Sequence, residues 1–200
     1  YKQFPFWNPY DSGGTVLLGN PQARFLSPLF ILEILFGTIV GLKLEVFVHF
    51  LIGLFGMYIL ARYFGVSFWG SIFASVIFMF NGLFAMQIIV GHTWILPYVY
   101  IPYVFLFYRK SIGTHSVNRL KNLLFSSLFI VLMFFEGGIY PLPYLVIFIV
   151  FYALLETLSK RNGIYIGNLC AIFLSAFIIG AIKILPTLEA LMRMPRSVSY

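Results

Sequence analysis

The sequence predicts an all-α protein, a polytopic bundle of about six transmembrane helices within its 200 residues. Three observations predict it. First, 61% of the residues are apolar and 10% are charged, with a mean hydropathy of +0.96. A soluble domain carries ~45–50% apolar and ~25% charged residues. Second, residues 63–108 run for 46 positions without an Asp, Glu, Lys or Arg, too long for one span of ~20 residues and right for two. Third, the few charges are sorted by sign along the chain. This composition excludes an ordinary soluble enzyme, a disordered tail and a disulfide-stapled secreted module.

The net charge of +7 reads as membrane topology, because cytoplasmic loops collect Lys and Arg. No nucleic-acid partner is expected. Cys170 is the one cysteine, so neither an internal disulfide nor a multi-Cys metal site can form. There is no signal peptide pattern and no Asn-x-Ser/Thr acceptor.

In chain order, 1–24 reads as an extracytoplasmic loop. Pro5, Pro9, Pro21, Gly13, Gly14 and Gly19 favour turns over helix there. Residues 25–42 are apolar but interrupted by Glu33, with Pro28 near the start. If they spanned, every later loop would change sides, so they read as an outer-interface or re-entrant helix. The bundle occupies 43–185, with spans at 44–61, 66–82, 93–108, 121–136, 141–158 and 164–185. Residues 186–200 begin an extracytoplasmic segment. Asn81-Gly82 and Gly91-His92 mark the turn inside the long uncharged stretch. Pro97 and Pro102 each remove a backbone donor and should bend the third span. Gly167, Ala171 and Ser175, like Gly70 and Ala74, form ridges of small residues suited to close helix contact. No internal repeat is evident.

Arg62, Arg109, Lys110, Arg119, Lys121, Lys160 and Arg161 fall on one face with one acid, Glu156. Asp11, Glu33, Glu45, Glu136 and Glu189 fall on the other. The basic face is then cytoplasmic, and the expected location is the cell membrane. Both ends lie outside. An outside N-terminus without a signal sequence implies an earlier span, so the chain reads as a fragment of a longer protein.

The candidate site residues gather on the outer face. In the first loop, Asn8, Asp11, Asn20 and Gln22 offer donors and acceptors. The segment is either a packed lid over the helices or a cradle for a polar substrate head. Glu136 closes a run of 14 uncharged residues and precedes Gly137-Gly138-Ile139-Tyr140-Pro141. A carboxylate at that depth is costly unless paired or wet. It is either a helix-end carboxylate in water or part of a site, with Tyr140 beside it. His92 lies in the second outer turn, as an interfacial hydrogen-bonder or a substrate ligand. His49 should bond a neighbouring helix. Lys183 either snorkels to the surface or meets a phosphate. Glu189, Arg193 and Arg196 follow the last span, and Arg matches phosphate geometry bidentately. There is no Walker loop, no His-Glu-x-x-His, no Gly-x-Ser-x-Gly and no dinucleotide fingerprint.

The order of several motifs resembles the YfhO-type membrane proteins, grouped with the C-type lipid-linked-sugar glycosyltransferases. They are Trp7-Asn8-Pro9-Tyr10, Gly13-Gly14 and Gly19-Asn20-Pro21-Gln22. They continue through His49, Gly56-Met57-Tyr58, Arg62 and Gly65, then Asn81-Gly82, His92 and Pro97. Leu185-Pro186-Thr187-Leu188-Glu189 and Arg196 complete the order. The resemblance implies a membrane glycosyltransferase that moves a sugar from a polyprenyl-phosphate donor to a glycan, lipid or protein acceptor on the outer face. It implies a carboxylate of the first outer loop as base or metal ligand. The acid expected for that role precedes residue 1, with Asp11 or Glu136 assisting. Lys183, Arg193 or Arg196 would meet the phosphate, and a divalent metal, Mg or Mn, is the cofactor such chemistry admits. The rival reading is a non-catalytic transporter, flippase or assembly subunit for lipid-linked glycans.

Overall fold

A computed structural model describes residues 7–8, 15–113 and 116–193. Asp11 and Arg196 lie outside the described residues. The fold is all-α, apart from a two-residue antiparallel pairing of β1 (Trp7–Asn8) with β2 (Thr15–Val16) in the first loop. Among the described residues, five helices are long and apolar enough to cross a membrane: Pro28–Tyr63, Phe68–Ile89, Val117–Phe135, Pro141–Lys160 and Ile164–Met192.

Helix α1 covers Ile31–Tyr63, after a 3-10 turn at Pro28–Phe30 capped by the Ser27 hydroxyl. It is not straight. Gly37 has φ 75° and ψ 164°, a conformation open to glycine and strained for other residues. There the chain folds back on itself. A Cβ at Gly41 would lie 2.4 Å from the Glu33 Cα, whereas residues eight apart in a straight helix are ~12 Å apart. The stretch expected to lie at the interface, 25–42, is therefore a helical hairpin. Its outward face (Ile34, Leu35, Ile39 and Val40) is exposed and suits lipid.

Helices α2 (Phe68–Met79) and α3 (Gly82–Ile89) together make one candidate span. Asn81 interrupts it and caps α3, its Oδ1 accepting from the Phe84 N–H at 2.8 Å. Of the two turn marks, Gly91 makes the reversal, with φ 84°. Next come an eight-residue 3-10 segment, Thr93–Tyr100, and α4, Ile101–Ile112. Pro97 sits inside the 3-10 segment and Pro102 opens α4, which explains where the α-geometry begins. The 3-10 rise is steeper, so the pair covers roughly 34 Å. This composite rod is long enough for a sixth crossing, in place of the plain helix expected at 93–108. It is also the most enclosed element: Leu96, Val99, Val104, Leu106 and Tyr108 are all buried. Helices α5 (Ser116–Phe135), α6 (Pro141–Lys160) and α7 (Ile164–Arg193) complete the bundle. α7 continues through Pro186, beyond the span limit expected at 185.

The elements run up and down, so Arg62, Arg109, Lys110, Arg119 and Lys160 gather at one end. There the Arg109 guanidinium lies 5.6 Å from the Tyr152 ring centre and 5.8 Å from that of Phe64. Arg119 donates to the Asn168 side chain on α7, and Asn168 donates to Ser111 Oγ at 2.9 Å.

The packing faces differ in register from the small-residue ridges read in the sequence. α2 buries Ser71, Ser75 and Met79, one position on from Gly70 and Ala74. α7 buries Asn168, Ile172, Ala176, Lys183 and Thr187, while a Cβ at Gly167 would meet nothing within 4 Å. The tight contacts are on α1 instead. A Cβ at Gly53 would lie 2.1 Å from Met79 Sδ, and one at Gly56 would lie 2.4 Å from the Tyr103 ring. Two substitutions should therefore have opposite signs. Gly56→Leu should destabilise the bundle by about 1–3 kcal/mol through overpacking. Gly167→Ala should be neutral or stabilise by up to ~1 kcal/mol through helix propensity. Reversible unfolding in bicelles measures both.

Candidate functional site

At the opposite end from the basic cluster, charged and polar side chains converge inside the bundle. The site begins with a row on α1. Gly41, Glu45, His49 and Gly53 recur every four residues and are all buried, as one stripe of a helix requires. Glu45 and His49 are thereby stacked on the face that meets the composite rod. Opposite them, α5 ends at Phe135, and Glu136 follows with no exposed atom.

His49 Nε2 lies 2.7 Å from Glu136 Oε2, and both side chains are fully buried. His49 Nδ1 lies 2.8 Å from the Glu45 backbone oxygen. A carbonyl only accepts, so Nδ1 carries a proton and donates it. The other Glu136 oxygen, Oε1, accepts from Ser27 Oγ at 2.7 Å and from the Tyr100 hydroxyl at 3.1 Å. One carboxylate thus ties together the first loop, α1, the composite rod and the end of α5. The Glu45 carboxylate pairs with Arg24, and Arg24 also lies 3.8 Å from Glu33. The fold-back at Gly37 is what brings Glu33 beside that guanidinium.

Lys183 on α7 is buried and does not snorkel to the surface, which corrects that sequence reading. Its Nζ donates to the carbonyls of Ala23 and Phe134 at 2.7 Å, Pro21 at 3.2 Å and Phe135 at 3.4 Å. The ammonium therefore binds the first loop to the last turn of α5. It also lies 4.9 Å from the Phe134 ring centre, within cation–π range. The chain leaves α5 through Gly137, with φ 75°. A Cβ there would sit 2.6 Å from the Gln22 carbonyl oxygen, so only glycine lets loop and helix end close up.

The remaining sequence candidates are spread around this cluster. Asn8 is in β1, and Asn20 uses its side-chain oxygen to accept from the Gln22 N–H at 2.9 Å. Gln22 is exposed and Tyr140 is half-exposed. The Tyr140 ring packs 4.6 Å from that of Trp94. His92 is exposed and donates from Nδ1 to Gln87 Oε1 at 2.6 Å. Glu189 is exposed on α7, and Arg193 ends that helix. The structure thus brings Glu136 together with Glu45, His49, Ser27, Tyr100, Arg24 and Lys183. His92 and Tyr140 are separate from that network and touch the same Trp94. Glu45, Ser27 and Tyr100 were not among the sequence candidates. The four-residue recurrence Gly41-Glu45-His49-Gly53 is the pattern that could have exposed the first of them.

The depth of the cluster follows from helix rise. Glu45 lies ~26 Å along α1 from Arg62, and Lys183 lies ~29 Å along α7 from Ile164. With a hydrocarbon core of ~30 Å, the cluster sits near the boundary opposite the basic end. An apolar cleft of about 410 Å³ lies beside it, between α5, α6 and α7. It is lined by Val131, Phe134, Leu142, Phe177 and Ile184 and reaches Pro21 of the first loop. Comparison with known proteins finds no matching family model, no matching curated protein and no matching solved structure.

Removing either partner of the buried His49–Glu136 contact strands the other. His49→Ala and Glu136→Ala should each cost about 3–5 kcal/mol. The double variant should cost less than their sum by about 1–3 kcal/mol, as measured by unfolding in bicelles. Lys183→Met keeps the volume but leaves four carbonyls without their donor. It should cost about 1–3 kcal/mol and make the 15–27 loop sensitive to added protease.

Proposed function

We propose that this protein is a membrane glycosyltransferase that uses a polyprenyl-phosphate-linked sugar on the extracytoplasmic face. The observation that carries this reading is the apolar cleft that reaches Pro21 of the first loop and Phe134, two residues whose carbonyls Lys183 holds. An isoprenoid chain matches an apolar lining that opens toward lipid. The membrane-boundary depth of the cluster supports chemistry at the surface. The order of motifs, which resembles that of the C-type glycosyltransferases, supports the same class.

In this reading a carboxylate of the first outer loop, with Asp11 or Glu136 assisting, removes the proton from an acceptor hydroxyl. The oxygen attacks the anomeric carbon. The bond from that carbon to the phosphate oxygen breaks, and polyprenyl phosphate leaves with the bonding electrons. Arg193 and Arg196, beyond the end of the last crossing, offset the charge that grows on the phosphate. Glu136 acts through the loop that it holds, since its oxygens are already occupied by His49, Ser27 and Tyr100. Membrane preparations supplied with a labelled polyprenyl-phosphate sugar test this. Asp11→Asn should lower transfer by about 10²-fold or more without loss of folded protein. Unchanged transfer after alanine replacement of both Glu136 and Arg196 would contradict the assignment.

A second reading, a transporter or flippase for lipid-linked glycans, is favoured by the interrupted helices at Gly37 and Asn81, a feature of transporter folds. Cysteines placed mid-span separate the two. Reagent access to them from both sides of the membrane would favour transport.

A further inference from the structure

We propose that Glu45, His49 and Glu136 form a binding site for one divalent cation of the zinc or manganese class. Each residue offers one ligand atom, and these atoms lie within 4.8 Å of one another, in side chains with no exposed surface. The hydrogen-bond inventory points to a cation among them. His49 Nδ1 donates to the Glu45 carbonyl, so Nε2 is the ring nitrogen that faces Glu136 Oε2, at 2.7 Å. Either a proton or a metal ion can fill that contact. A single shared proton would answer that contact alone. It would leave Glu45 Oε2 buried and without any hydrogen-bond partner, a cost of about 1–3 kcal/mol or more for a charged group. A metal ion takes the Glu45 carboxylate as a third ligand and accounts for the orphan oxygen.

The surroundings match what a metal site needs. Ligating histidines give their other ring N–H to a backbone carbonyl or carboxylate, and ligating carboxylates are themselves hydrogen-bonded. Both conditions hold. His49 donates to the Glu45 carbonyl, Glu136 Oε1 accepts from Ser27 and Tyr100, and Glu45 Oε1 accepts from Arg24. A dication cancels the charge of the two carboxylates that bind it, and Arg24 stays beside Glu33. One imidazole nitrogen with two carboxylates suits Zn²⁺ or Mn²⁺ better than Mg²⁺, which prefers oxygen ligands and retains water. Three protein ligands leave at least one position open. The site stands on its own ligands, whether or not the protein transfers a sugar.

The test uses the full-length protein in lipid nanodiscs, stripped with chelator and titrated with Co²⁺ as the probe. The expected result is one saturable equivalent with visible ligand-field bands, displaced by Zn²⁺. Glu45→Gln keeps an oxygen for Arg24 and should bind Co²⁺ at least tenfold more weakly, as should His49→Gln. If the histidine variant fails to fold, the Glu45→Gln comparison decides alone. A folded wild-type protein that takes up no saturable equivalent overturns the proposal, with a proton then filling the contact. So does a folded Glu45→Gln variant that binds as tightly as the wild type.

Discussion

The contact between His49 and Glu136 is the constraint on which the rest of this end of the molecule depends. Burying an ionised group in a low-dielectric interior costs several kcal/mol unless it is paired and hydrogen-bonded. Once Glu136 has no exposed atom, every neighbouring element must bring it a partner. α1 brings His49, the first loop brings Ser27, and the composite rod brings Tyr100. The backbone conformations follow from the same demand. Gly137 adopts positive φ so that the loop carbonyl at Gln22 can approach the end of α5. Gly37 lets the chain return, so that Glu33 joins Arg24 and Glu45.

The polar end is tied by ions and the basic end by softer contacts. Arg109 rests between aromatic rings, and Arg119 bonds the Asn168 amide. Between these ends, hydroxyls bond backbone carbonyls across the helices: Tyr103 to Ile52, Ser126 to Val104 and Ser127 to Ile172. Close fit adds to them, with glycines on α1 admitting Met79 and Tyr103. Such a division suits a protein in lipid, where burial of apolar surface contributes little to holding helices together. The outward aliphatic and aromatic side chains face a solvent as apolar as themselves. The inward ones must then earn specificity through hydrogen bonds and close fit.

Much of the architecture was legible because composition and charge dominate it. The uncharged stretches around 63–108, 137–155 and 162–182 mark helices that the structure contains, and the basic residues from Arg62 to Arg161 do gather at one end. What periodicity could not show was conformational. Pro97 signals a disturbance, but a 3-10 rod and a kinked α-helix have nearly the same sequence requirements. Gly37 looks like any glycine in an apolar run until its φ is known. The small-residue ridges at Gly70 and Gly167 were misread because Gly, Ala and Ser pack closely only if their face meets a neighbour. The α7 face that does so carries Asn168 and Lys183. Lys183 shows the limit most clearly. Its four acceptors come from residues about 50 and 160 positions away, so no local pattern foretells a carbonyl cage. Glu136 was legible as an anomaly of depth, and Glu45 with His49 only as a repeat along one helix face.

The central claim is that the His49–Glu136 contact holds the first loop onto the bundle. Hydrogen–deuterium exchange on the protein in nanodiscs, wild type against His49→Ala, tests it most directly. The account predicts slow exchange at the backbone amides of residues 20–30 in the wild type. In the variant those amides and the last turn of α5 should exchange much faster, while α6 stays protected. Equal protection of the loop in both proteins would contradict it.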